Sequence, residues 1–293
     1  MSTRKWITAA LAALLGLCVL LAVVAVPRTP AAQTADVAIL MYHAFTEDEA
    51  DTGSLYTLAS EFARQLSALR DAGYTSVGYA DLIEFVNDDG RLPEKPLLIS
   101  IDDGYQNNLD LAAPLLEKYG FCANIAVIGV SIGRTTYKDT GIPITPHFSL
   151  EDARPWIERG VLTVTTHSYD MHQVAAVDGA GCRRGVLQMP GEAEPDYIAA
   201  LTQDYTRAQE QLAGLPGTPL PVFTYPNGAY SELSERVLQE LGVQVTVTTE
   251  GGANRLVKGE PETLRLLHRI HVWRGTKPDM LLSRIDGALQ ALR

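Results

Sequence analysis

The sequence predicts an α/β fold in which parallel strands alternate with helices and close, or nearly close, into a distorted (β/α) barrel. Three observations predict it. Apolar runs of strand length alternate with amphipathic runs of helix length from Asp36 to Arg293. Some of these strands are apolar on both faces, as parallel strands covered by helices are. No second linker, repeat or low-complexity tract interrupts that stretch, whose length is typical of one barrel of about 250 residues.

In chain order, Val37–Tyr42 reads as a strand of apolar residues. Leu58–Ala72 reads as an amphipathic helix with Phe62, Leu66 and Leu69 on one face and Gly73 as its stop. Thr75–Val77 is a short strand and Tyr79–Asn87 a helix; Pro96–Ile101 is a strand apolar on both faces. Asn107–Tyr119 reads as one helix, Ala123–Ile128 as a strand, and Leu150–Arg159 as a helix capped by Ser149. Val161–Thr166, Val222–Thr224, Val243–Thr248 and Ile270–Trp273 are strands. Tyr197–Gly214, Ser231–Leu241 and Pro278–Leu292 are helices. Such alternation implies a parallel sheet with right-handed crossovers.

Composition narrows the function. The chain has 293 residues, 46% of them hydrophobic, which excludes wholesale disorder. Its formal net charge of −11 argues against a nucleic-acid partner, which needs a basic face. With 3 cysteines there is neither a disulfide scaffold nor a cysteine-rich zinc module. Cys122 reads as core, with a bridge to Cys182 left open.

The N-terminal residues point to export. Arg4 and Lys5 precede an uncharged run, Trp6–Val26, with Cys18 inside it. A helix of about 20 residues reaches about 30 Å, the thickness of a bilayer core, whereas a secretory apolar region is usually about 7–15 residues. Residues 1–26 are therefore expected to be a membrane anchor or a cleaved signal, forming one hydrophobic helix with its basic end in the cytoplasm. Residues 27–35 read as a linker, and 36–293 as the exported domain, membrane-anchored on the outer face of the inner membrane or released as a secreted or periplasmic form. Residues 1–35 carry Arg4, Lys5 and Arg28 and no acid. The exported part is thus more acidic than the whole chain, and compatible with a cationic polymer.

Chemistry gathers where the strands end, which is where a barrel builds its site. The first strand ends in Tyr42-His43, the Pro96–Ile101 strand in Asp102-Asp103-Gly104, the Val161–Thr166 strand in His167, and the Val222–Thr224 strand in Tyr225-Pro226-Asn227-Gly228. Adjacent carboxylates after an apolar strand are costly unless each has a partner. One can ligate a metal while the other stays free as a base; the bland alternative is a helix cap. His167 and His172 can chelate from one loop, or be two solvated histidines. Histidine and aspartate ligands with an open position form a catalytic zinc pattern.

These residues resemble the polysaccharide deacetylases of the NodB type (carbohydrate esterase family 4). The family's T-F-D-D-G motif is matched by Ser100-Ile101-Asp102-Asp103-Gly104, and its H-[S/T]-x-x-x-H motif by His167-Ser168-Tyr169-Asp170-Met171-His172. Ile39–His43 and the Tyr225–Gly228 turn are also similar, so the resemblance spans roughly Val37 to Trp273. It implies a NodB-type barrel, Asp102 as general base, and Asp103, His167 and His172 as ligands of a divalent metal, Zn²⁺. It further implies the backbone N–H of Tyr225 as an oxyanion donor, and acetate as a product. The family's arginine-containing third motif is missing beside Tyr225, and Arg269 is the candidate to orient Asp102 in its place.

Three histidines compete as general acid: His43, His268 and His271. His43 follows the first strand directly, and the resemblance is to the branch that deacetylates poly-N-acetylglucosamine, with its acid in a Tyr-His pair on that strand. The expected activity is metal-dependent N-deacetylation of an N-acetylhexosamine glycan, with no obligate protein partner. The alternative is a non-catalytic glycan- or cell-wall-binding protein on the same fold. A metal amidase acting on a non-sugar amide is a third reading. Residues 174–196 are expected as a rim loop or an inert insertion.

Overall fold

Strand β1 (Thr34–Tyr42) is the hub of a curled sheet. The computed structural model describes residues 33–51, 53–217 and 219–293. The hydrophobic segment expected over residues 1–26, and most of the linker expected over 27–35, lie outside them. The linker ends earlier than expected, because Thr34 and Ala35 already pair with Val257 and Leu256. Among the described residues no helix is long and apolar enough to cross a membrane.

The sheet runs β10 (Ala253–Val257), β1, β5 (Pro96–Asp103), β6 (Ala123–Val127), β7 (Leu162–Thr166), β8 (Val222–Thr224), β9 (Val245–Val247). β4 (Thr75–Ser76) joins β5 and β11 (Ile270–His271) joins β1. All pairings are parallel except β10 with β1. Short strands β2 (Ala44–Thr46) and β3 (Tyr56–Leu58) form a separate parallel pair. The helices are α1 (Ala59–Asp71), α2 (Tyr79–Asn87), α3 (Ala113–Tyr119), α4 (Leu150–Glu158), α5 (Ala175–Asp178), α6 (Glu194–Leu212), α7 (Glu232–Glu240) and α8 (Pro278–Gln290).

The barrel closes irregularly. Leu267 makes one parallel bridge to Val247 of β9, and three residues later Ile270 and His271 pair with Leu40 and Met41 of β1. One crooked segment therefore spans the gap that a regular strand would fill. Leu266 takes φ 53° there, and Arg269 turns its whole side chain inward.

Two apolar layers follow from the period-2 alternation of a strand. Ala38, Leu40 and Tyr42 of β1 pack with Phe62, Leu66 and Leu69 of α1. Val37 and Ile39 join a second cluster with Leu98, Val222 and Val245. On β5, Ser100 and Asp102 continue the Leu98 face, so that face turns from apolar to polar toward the strand's C-terminal end.

The helix expected over Asn107–Tyr119 is broken in two. Pro114 has no N–H for the bond to Asp110, so the chain makes a π turn over Asn108–Ala112 before α3 begins. Ser149 caps α4 as expected, accepting from the Asp152 N–H. Both Cys122 and Cys182 are free thiols.

Candidate active site

Asp102 and Asp103 are the last two residues of β5, and successive strand residues should point to opposite faces. Asp103 escapes this by adopting φ 74°, a left-handed conformation that is costly for a residue with a Cβ. Gly104 follows at φ 82°. A Cβ on Gly104 would lie 2.8 Å from Val127 Cγ1, so glycine is required beside β6. The result is two buried carboxylates, 2% and 5% exposed, at one mouth.

His167 leaves the end of β7, and its N–H donates to Val127 O at 2.9 Å. Its Nδ1 donates to Thr224 O at 2.8 Å. That bond fixes the tautomer and leaves the Nε2 lone pair free. Burial lowers the His167 pKa to about 4, despite the opposing pull of Asp102 and Asp103. The ring is therefore neutral, as a ligand must be.

Past His167 the chain doubles back. Ser168 takes φ 75°, and its Oγ accepts the Met171 N–H at 3.1 Å. Asp204 on α6 accepts from the Tyr169 and Asp170 N–H groups at 2.8 and 2.7 Å. His172 returns to the site with its ring centroid 5.1 Å from that of His167. Burial raises the Asp204 pKa to about 6, outweighing those two donors.

Three donor atoms converge. Asp103 Oδ1 lies 3.7 Å from His167 Nε2 and 3.8 Å from His172 Nε2, and the set fits within 4.8 Å. These separations are too long for hydrogen bonds. They are close to the roughly 3.3 Å expected between ligands held about 2.0–2.1 Å from a tetrahedral ion. One carboxylate and two imidazoles suit a divalent cation, and three protein ligands leave a coordination position open. The residues fit a metal.

On the other side of Asp102 stands Arg269, 0% exposed. Its two terminal nitrogens donate to Asp102 Oδ1 and Oδ2 at 2.7 and 2.8 Å. Two more of its N–H groups donate to Ser100 Oγ at 3.0 Å and Thr248 O at 2.7 Å. Burial alone would raise the Asp102 pKa, but Arg269, His167 and His43 together hold it well below the usual carboxylate range. His43 Nε2 lies 3.8 Å from Asp102 Oδ2, and the His271 ring packs behind it at 5.8 Å.

Residues 89–246 match the family described as Polysaccharide deacetylase. The chain belongs to this family. Among sequence relatives, YxkH of Bacillus subtilis (strain 168), which bears a polysaccharide deacetylase name, is 27% identical over 234 residues, 80% of this chain and 70% of its own length. The poly-beta-1,6-N-acetyl-D-glucosamine N-deacetylase of Escherichia coli (strain K12) is 21% identical over 226 residues, 73% of this chain. The matched region spans only 34% of that relative. Among solved structures, a de-N-acetylase from Aggregatibacter actinomycetemcomitans superposes with a TM-score of 0.73 at 18% identity, covering 85% of this chain and 100% of its own. IcaB from Ammonifex degensii gives 0.66 at 23% identity, covering 87% and 97%. These structures share the curled α/β fold of this chain.

The structure brings Asp102, Asp103, His167, His172 and His43 together, with Arg269 behind Asp102. It moves one role. The Tyr225 N–H already donates to Val247 O at 2.9 Å in the β8–β9 ladder, and its hydroxyl donates to Glu235. Tyr225 is fully buried packing and is not free to serve as an oxyanion donor. His268 also falls away: it is half-buried and sits 3.6 Å from Glu250.

Asp204 was missed, although the pattern held a signal. It lies on the Tyr197, Leu201, Ala208 stripe of α6, where a carboxylate is out of place. Asp204→Ala leaves two N–H groups without acceptors and loosens the loop that carries His172. Metal affinity, measured by competition with a chromogenic chelator, is expected to fall roughly 10–100-fold, as for other outer-shell partners. Unchanged affinity would make Asp204 a helix-packing residue only.

Proposed function

We propose that the chain is an exported, metal-dependent N-deacetylase of an N-acetylhexosamine glycan, held at the membrane or released through residues 1–26. The observation that carries this reading is the convergence of Asp103, His167 and His172 within 4.8 Å, beside the Asp102–His43 pair. A divalent ion there, Zn²⁺ in our reading, would polarise the acetamide carbonyl and acidify water. Asp102 then accepts the proton of the attacking water, held in position by Arg269. His43 donates a proton to the nitrogen as the C–N bond breaks, giving acetate and a free amine. The acidic surface, part of a formal charge of −11, tolerates the cationic product.

His43 has first claim on the acid role, because it alone of the three candidates lies against Asp102. His43→Ala is expected to keep metal and fold and to lower kcat by roughly 10²–10⁴, the span of one acid–base group. Near-normal turnover, with collapse in His271→Ala, would move the acid to β11.

Acetate release from poly-N-acetylglucosamine, peptidoglycan and chitin oligomers tests the activity and identifies the glycan. Release from one of the three supports the reading. Tight binding without release from any would favour the non-catalytic glycan-binding alternative.

A further inference from the structure

The stretch that follows the two carboxylates also holds the acid histidine. His43 lies between β1 and β2 and belongs to neither, so no sheet ladder fixes its carbonyl. Two consecutive asparagines do. Asn108 Nδ2 donates to His43 O at 2.7 Å, and Asn107 Oδ1 accepts the Phe45 N–H at 3.0 Å. Asn108 Nδ2 also reaches Asn107 Oδ1 at 3.3 Å, tying the two amides together. The Ala44 N–H between them donates to Leu55 O at 3.1 Å. A carbonyl can only accept and an N–H can only donate, so the orientation of each amide is set by its partner.

Space filling does not explain Asn108. It is 0% exposed, and its Oδ1 has no hydrogen-bond partner among the described residues. A buried amide with one unpaired end costs stability that an apolar side chain would not. The π turn contributes as well. The Ala113 N–H bonds back to Asn108 O, which sets where this residue sits at the head of the helix; such turns often mark functional sites.

We propose that Asn107 and Asn108 are positioning residues for His43, holding the acid at its distance from Asp102. Base, metal ligand and acid clamp then all lie on Asp102–Asn108, so one stretch of chain sets the spacing of the reacting groups. The inference rests on the acid role given to His43 above.

Leaving-group chemistry separates this from a general structural role. When the acetamide C–N bond breaks, its electron pair goes to nitrogen, which must gain a proton. When 4-nitrophenyl acetate is cleaved, 4-nitrophenolate leaves with its electron pair and needs none. A displaced acid therefore harms the amide reaction and spares the ester.

The test uses the full chain, metal-loaded, with Asn108→Ala and Asn107→Ala. Each is assayed for acetate release from an N-acetylglucosamine oligomer and for hydrolysis of 4-nitrophenyl acetate. The amide reaction is expected to fall roughly 10-fold or more in kcat with little change in KM, and the ester reaction to stay within about 3-fold at unchanged metal content. Equal losses on both substrates, or no loss on either, would overturn the proposal. Asn107 is only half-buried, so its variant carries the test if Asn108→Ala does not fold. A parent chain active on the ester and inert on the amide would overturn the deacetylase reading itself, and this proposal with it.

Discussion

Asp103→Ala is expected to lose bound metal and turnover together, whereas Asp102→Asn keeps the metal and loses turnover. The two residues are neighbours in β5 and both are buried, yet their partners differ. Asp103 Oδ1 faces the two imidazole nitrogens at 3.7 and 3.8 Å. Removing it leaves two imidazole ligands, one short of the three protein ligands that catalytic sites use, so activity should drop to that of chelated protein. The Asp102 carboxylate faces Arg269 and His43 instead. An amide there keeps the shape but cannot take a proton, which is expected to cost roughly 10²–10⁴ in kcat. Metal analysis and acetate assays on the two variants decide the matter. Equal metal loss in both would mean that the roles are shared rather than divided.

Arg269→Met is the substitution with the largest expected effect on stability. The guanidinium is 0% exposed and Asp102 is 2% exposed. Breaking a buried pair by removing one partner leaves an uncompensated charge, which typically costs about 3–5 kcal/mol. Denaturant unfolding should show that loss for Arg269→Met alone. Adding Asp102→Asn removes the stranded charge and should recover a large part of it, a coupling that a double-mutant cycle reads directly. Additive losses would mean that Arg269 stabilises the barrel through its bonds to Ser100 and Thr248 and not through Asp102.

The site residues were largely legible in the sequence because their chemistry demands particular types at strand ends. Asp102, Asp103, His167 and His43 each lie at the end of a run that is recognisable as a strand, and His172 follows His167 by five residues. Arg269 was legible only as a position near the last strand, since the contact it makes spans 167 residues of chain. Asp204 announced itself only as a carboxylate on an apolar helix stripe. Asn107 and Asn108 gave no signal, because consecutive asparagines at a helix start read as ordinary capping residues. The Tyr225 assignment failed because backbone donors carry no sequence signature, and sheet pairing had already used this one.

The fold shows the same division. Parallel strands such as β5, buried along its whole length, are visible as unbroken apolar runs. β10 is not, because Asn254 and Arg255 interrupt it, and only its pairing with β1 makes it a strand. The π turn was hidden because Pro114 is also acceptable in the first turn of a helix. The distorted closure was expected, but its route was hidden, since the short Ile270–His271 strand supplies only half of it and a single bridge at Leu267 the rest.

The central claim is that one divalent ion at Asp103, His167 and His172 is required for release of acetate from an acetamido sugar polymer. The most direct measurement strips the purified chain with a chelator and titrates metal back, following bound metal and acetate release together. The account predicts no release from the stripped chain and full activity at about one ion per chain, with one free amine formed per acetate. Undiminished acetate release from the fully stripped chain would contradict it.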